Sequence, residues 1–385
     1  MRVAGDLTSP AADNLGSVPN THLAHLRLVS QRIIASDAAT PVDAVRSMLA
    51  VQAQDFAASK WAIGLRAPGS TVADVEAAFA AGTIVRSWPM RGTLHVTAAE
   101  DLPWILALTS ARTVASAAKR HSDLGLDDPA FAQARDVAER YLAGGHALPR
   151  EQLLALFEQH GIEVSGQRGY HLLWRLAHDG AICLGPLQGA RQTFVLLDEW
   201  VKTPIRFERE QALGELARRY FEGHGPATER DLAWWSKLTL KDIRAGIAVA
   251  RSQLETLVVD DTTYFMAAGA EARFEASRKA AVRSLALLPG FDEYLLGYAD
   301  RSAVLASEYS QRIAPGGNGI FAATVVFDGQ VVGTWRRGAQ KAPAIQLQPF
   351  TELSATATKG LERASAAYAR FVGAPFVPPV VAPAG

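Results

Sequence analysis

The chain has 385 residues, 49% hydrophobic and 20% charged, the composition of a folded protein long enough for two or three packed units. Its 39 lysines and arginines balance 39 aspartates and glutamates. That excludes a strongly cationic nucleic-acid coat while leaving room for a local basic face.

Residues 1–20 hold Ala, Asn, Ser and Pro without a period and read as a mobile tail. They lack the basic-then-apolar pattern of a signal peptide. No apolar run approaches the roughly 18–20 residues of a membrane span, so a cytoplasmic protein is expected. The single cysteine, Cys183, rules out a disulfide framework or a cysteine-based zinc site within one chain, and its apolar neighbours predict a buried thiol. His22 and His25 have metal-like spacing but no third ligand in view. Neither a metal nor a cofactor is expected.

One pattern then recurs three times. In the first unit (21–120), Thr40-Pro41-Val42-Asp43 forms a capping box with proline at the first helical position. Val42, Val45 and Leu49 follow on one face. Thr71 and Asp74 open a second helix, closed by Gly82. Residues 83–88, a Pro-Met-Arg-Gly turn and residues 93–96 read as strand, turn, strand.

In the second unit (121–200), Pro149 begins a helix that stops at Gly161, and Ser165 caps another that buries Tyr170, Leu173, Trp174 and Ala177. The polar face of that helix carries Gln167, Arg168, His171 and Arg175. A wing between residues 181–184 and 192–197 follows it. Such a helix and hairpin are what groove-reading modules present, and equally what a solvated surface presents. The third unit (201–275) has capping boxes at Thr228/Asp231 and Thr239/Asp242 and ends in another strand pair.

From residue 276 to 371 the pattern turns to strands. Residues 321–327, an Asp328-Gly329 turn and residues 331–335 predict a hairpin. Residues 344–350 add a strand, and a closing helix carries Leu361, Ala364, Tyr368 and Phe371. The proline-rich stretch 372–385 reads as an extended coat. No Walker loop, dinucleotide fingerprint, nucleophile elbow or zincin helix is present.

Four constellations carry candidate chemistry. Gln52 and Gln54 are two residues apart, so they share a side only where the chain is extended; from spacing alone a polar helix end is the favoured reading. Arg86, Trp88, Arg91, Thr93 and His95 combine guanidinium, indole and imidazole in one hairpin. They suit a nucleic-acid wing, although Trp88 as a core anchor and His95 as a satisfied strand residue fit as well. Asp292 and Glu293 offer paired carboxylates for acid–base work, or a helix cap and support at the edge of a site. Arg336 and Arg337 beyond a tryptophan suit phosphate, against a default of a solvated strand end.

Four segments in this order, Ala50-Val51-Gln52-Ala53-Gln54-Asp55, Met90-Arg91-Gly92-Thr93-Leu94-His95, the stretch 288–298 and Val331-Val332-Gly333-Thr334-Trp335-Arg336-Arg337, resemble the AlkZ-like winged-helix DNA glycosylases. The resemblance runs from about residue 22 to 370. It implies an α+β fold of three tandem winged helices and a β-rich C-terminal unit around a concave DNA-binding channel. It also implies that Gln52 and Gln54 are the catalytic Gln-x-Gln motif, with Asp55, Asp292 and Glu293 supporting them. Arg86, Trp88, Arg91, Thr93, His95, Arg336 and Arg337 are then the expected DNA contacts. The expected activity is hydrolysis of the N-glycosidic bond of cationic N7-alkylated purines in double-stranded DNA by a monomer, extending to bulky adducts or interstrand crosslinks. The rival reading from winged helices alone is a non-catalytic transcriptional regulator.

Overall fold

The computed structural model describes residues 20–317, 319–338 and 344–384; the tail expected at 1–20 lies outside them except for Asn20. Helices α1 (Asn20–Ser30), α2 (Pro41–Met48), α3 (Phe56–Arg66) and α4 (Val72–Ala80) lead into a hairpin of β2 (Ile84–Met90) and β3 (Thr93–Ala98), with β1 (Val51–Gln52) between α2 and α3. The local signals explain these boundaries. Thr40/Asp43 and Thr71/Asp74 form reciprocal capping boxes, each satisfying two backbone donors of a first turn. The hairpin turns at Arg91-Gly92, both with positive φ (56° and 66°), as the mirror-image two-residue turn requires.

Helices α5 (Leu102–Ser116), α6 (Ala118–Asp123) and α7 (Asp128–Leu142), strand β4 (Leu148–Pro149) and helices α8 (Arg150–Gln159) and α9 (Arg168–His178) precede a second hairpin, β5 (Ile182–Gln188) and β6 (Arg191–Leu196). Two expectations need correction here. Pro149 is the last residue of β4 and the N-cap of α8 rather than its first helical residue. Ser165 does not cap α9: its hydroxyl donates to Glu163, and the N-cap is Gln167 in a left-handed conformation. Leu173, Trp174 and Ala177 are buried as expected, with Tyr170 half-buried, and Cys183 is fully buried.

After α10 (Leu197–Trp200), helices α11 (Arg209–His224), α12 (Glu229–Ser236) and α13 (Leu240–Ala250) lead to the third hairpin, β7 (Leu254–Val259) and β8 (Thr262–Ala267), and then to α14 (Ala270–Ala281). The last part holds β9 (Leu285–Leu288), α15 (Glu293–Leu296), α16 (Ser310–Ile313), β10 (Thr324–Phe327), β11 (Gln330–Arg337), β12 (Ile345–Pro349), α17 (Ala355–Phe371) and β13 (Val380–Val381). The strand expected from residue 321 begins at Thr324, and the proline-rich end adds β13 alongside β12.

The fold is therefore mixed helix and sheet. The first two hairpins share one six-stranded sheet, ordered β1-β3-β2-β5-β6-β4 and joined where Arg86 pairs with Leu184. A second sheet is ordered β13-β12-β11-β10-β9, and β7-β8 stands apart as a ribbon. Sequence pattern separates the first two units; the shared sheet fuses them and fixes the Gln-bearing strand β1 at its edge. No helix among the described residues is long and apolar enough to cross a membrane.

Candidate active site at the Gln52–Gln54 loop

Helix α2 stops at Met48 because Leu49 takes a positive φ of 62°, which no continuing helix allows. The chain then extends as β1, with Gln52 opposite His95 on β3, and Ala53 N donating to Leu94 O at 2.7 Å. Extended geometry is what lets residues two apart cooperate. Gln52 Nε2 donates to Gln54 Oε1 at 2.6 Å, and Gln54 N donates to Gln52 Oε1 at 3.2 Å. These bonds also fix which end of the Gln52 amide is oxygen. Gln52 is 5% exposed, whereas Gln54 faces solvent. Asp55 ends the loop by accepting from Ala58 N, capping α3.

The loop is clamped from two sides. Arg86 donates to Ala53 O (2.8 Å), Gln54 O (3.3 Å) and Gln192 Oε1 (2.9 Å), so a guanidinium on β2 binds the loop's carbonyls. On the inner side Gln52 N donates to Glu293 Oε1 at 3.1 Å. The other carboxylate oxygen of Glu293 accepts from Trp235 Nε1 (2.9 Å) and lies 3.5 Å from His224 Nε2. Arg91 stands 3.9 Å away.

Burial alone would raise the pKa of Glu293, but His224 and Arg91 outweigh it and hold the carboxyl at about 2. His95 shifts the same way for a different reason. Burial first, then the adjacent Arg91, drive its pKa down to about 3. The ring is therefore neutral near pH 7. Its Nδ1 donates to Thr93 O and its Nε2 accepts from Arg91 Nη2, each at 2.9 Å. Arg91 Nη1 also donates to Leu296 O at 3.2 Å.

Several expected DNA contacts are thus interior groups. Trp88 is 5% exposed and packs edge-on against Tyr170 in a core built on α7 and α9, so it is a core anchor and offers no face to a base. His95 is fully buried, and Arg91, half-buried, is committed to His95 and Leu296. Thr93 is half-buried and its hydroxyl has no hydrogen-bond partner. Asp292 pairs with the fully buried Arg66 through both oxygens at 2.9 Å and caps α15 by accepting from Tyr294 N, so its role is structural.

Arg336 and Arg337 are exposed, but as strand neighbours they leave opposite faces of the sheet. Arg336 donates to Gln346 on β12. Arg337 lies close enough to Tyr368 of α17 to offset part of the upward pKa shift that burial imposes on its phenol. His22 and His25 are paired with Glu271 and Asp328 rather than with each other.

The structure also brings in groups that no motif flagged. His224 ends α11, Trp235 lies in the last turn of α12, and Arg66, itself bonded to Gln31, holds Asp292. His224, Trp235 and Arg66 belong to helices whose pattern reads as ordinary core, and only the fold carries them to the site.

Comparison with known proteins places the chain in a family. The AlkZ-like DNA glycosylase family model matches residues 45–371, which include both glutamines and Glu293. The interstrand DNA cross-link repair glycosylase of Streptomyces sahachiroi is 26% identical over 360 residues, covering 87% of this chain and 92% of that protein. The solved structure of the Streptomyces sahachiroi DNA glycosylase AlkZ superposes with a TM-score of 0.81 at 23% identity, over 95% of this chain and 100% of that one. With a profile match across most of its length and this fold, the chain belongs to the AlkZ-like family of DNA glycosylases.

Proposed function

We propose that Gln52 and Gln54 position the hydrolytic water of a glycosylase that releases N7-alkylated purines from double-stranded DNA. The observation that carries this is the reciprocal pair of hydrogen bonds between the glutamines, anchored from below by Glu293 and open to solvent at Gln54. Gln54 Oε1 accepts once from Gln52 and keeps a second lone pair to accept from a water. A purine alkylated at N7 is cationic and departs as a neutral base, so no general acid is required. What remains is to place water against C1′ and to offer partial negative charge to an oxocarbenium-like sugar. Glu293 is ionised but buried and fully engaged, which suits it to holding Gln52 rather than attacking the sugar.

The open position of Gln54 also suits lesions too bulky for a closed pocket. Interstrand crosslinks, the substrate named for the Streptomyces sahachiroi relative, are the natural extension. Three successions of helices and hairpin support tandem winged helices over 21–120, 121–200 and 201–275, with 276–371 and the proline-rich 372–385 completing a concave DNA channel. Arg336 and Arg337 are the exposed cations proposed to meet phosphate, and the enzyme acts as a cytoplasmic monomer without cofactor. Family membership sets aside the regulator.

The decisive measurement is release of N7-methylguanine from a labelled duplex. Gln52→Ala and Gln54→Ala are each expected to lose about 100-fold in single-turnover rate, the scale of removing one transition-state donor or acceptor, with DNA binding retained. Unchanged rates in both variants would overturn the assignment.

A further inference from the structure

A cavity of about 460 Å³ opens at the tip of the β2–β3 hairpin, bounded by Arg91 and Gly92, by Arg112 of α5, by Tyr170 and His171 of α9, and by Lys237 just after α12. Three elements remote in sequence bring three cations to its wall, and no carboxylate lines it. In a chain with 39 positive and 39 negative side chains, that segregation is a local choice rather than a reflection of composition. Arg91 is committed to His95 and Leu296, but Arg112 and Lys237 are exposed and make no ion pair or side-chain hydrogen bond among the described residues. His171 contributes a buried Nδ1 that also lacks a partner. Most other arginines at the surface of α9 and α11 are neutralised at short range, among them Arg175 by Asp179 and Arg218 by Glu215 and Glu222.

The cavity is also placed beside the glutamine loop. Arg91 of the cavity wall joins it to the loop: its Nη2 lies 3.9 Å from the Glu293 Oε1 that accepts from Gln52 N at 3.1 Å. Those two distances together span about two nucleotide steps, since one strand of a duplex advances about 3.4 Å per nucleotide. We infer that this cavity holds a backbone phosphate of the lesion strand, one or two nucleotides from the damaged base, with Arg112 and Lys237 as its ligands. The inference rests on Gln54 facing the lesion. It adds a register to that reading: one fixed phosphate at the hairpin tip sets which sugar meets the water.

Arg112→Gln/Lys237→Gln tests it without touching the glutamines or their anchors. With a duplex carrying a stable tetrahydrofuran abasic mimic, the slope of log affinity against log salt is expected to fall by about one unit, the effect of one lost phosphate contact. A scan of single neutral methylphosphonates should weaken wild-type binding at one position within two nucleotides of the mimic and leave the double variant indifferent there. An unchanged salt slope, or the same penalty at that position in both proteins, would overturn the inference. So would tight binding of inorganic phosphate or AMP with no position-dependent loss in the scan, which assigns the cavity to a free anion. Base release separates the two ideas. Gln54→Ala should lose release and keep the slope, whereas the double variant should lower the slope by about one unit whatever its release rate.

Discussion

Two hairpins look alike in sequence and end as opposites. β2–β3 and β10–β11 both turn on an X-Gly pair with positive φ, Arg91-Gly92 and Asp328-Gly329, and both carry a tryptophan and arginines. In each the tryptophan points inward: Trp88 packs on Tyr170, and Trp335 donates to Leu288 O while meeting Tyr368 edge-on. The arginines part company. Those of the first hairpin bind Ala53 O, Gln54 O, His95 and Leu296 O, because β1 and α15 cover that face. Arg336 and Arg337 stay in water because they lie at the end of a strand. Residue type announces what a guanidinium can bind, and the layer packed over it decides what it does bind.

The largest expected difference between the hairpins is in stability. Trp88→Ala should cost about 3–5 kcal/mol, the range for truncating a buried aromatic side chain, read as the urea midpoint with its slope unchanged. A loss below 1 kcal/mol would mean that the first hairpin is as peripheral as the second.

Next in size is the response to acid. His95 holds its pKa near 3 in the fold, well below the ordinary 6.5, so the unfolded chain takes up its proton first. Its contribution is complete above about pH 6.5 and drains as pH falls toward 3. Glu293, ordinarily at 4.5 and held near 2, adds a second loss between those values. Denaturant midpoints should therefore fall progressively from pH 6.5 downward, and His95→Gln should flatten the upper part of that decline. The same slope in His95→Gln as in wild type would break the link.

Smallest is the effect at the second hairpin. Arg336→Ala and Arg337→Ala should change stability by no more than about 0.5 kcal/mol, as surface substitutions do, while weakening duplex binding at low salt. A stability loss comparable to that of Trp88→Ala would show Arg336 and Arg337 to be interior supports like Arg91.

What the sequence discloses divides along the same line. The capping boxes at Thr40, Thr71 and Thr228 are readable because donor and acceptor lie three residues apart, and all three form. Asp292 as a cap is readable for the same reason. The Gln52–Gln54 pair becomes legible through family resemblance rather than spacing, since nothing local announces that the helix breaks at Leu49. Ser165 is misread because a serine before a helix is a frequent signal, while Gln167 in a left-handed conformation is an infrequent one. His224 and Trp235 could not be flagged, because their partner Glu293 is reached only through the tertiary fold.

The bond between Gln52 and Glu293 joins residues 241 positions apart. During synthesis at about 5–20 residues per second, the anchor follows the glutamines from the ribosome by roughly 10–50 seconds. A nascent or truncated chain carrying the motif therefore lacks the carboxylate that holds it in place. On the proposed role of the glutamines, competence to cut a glycosidic bond arrives late in translation, and an aborted product ending before residue 293 is expected to be a bystander on the genome rather than a source of abasic sites.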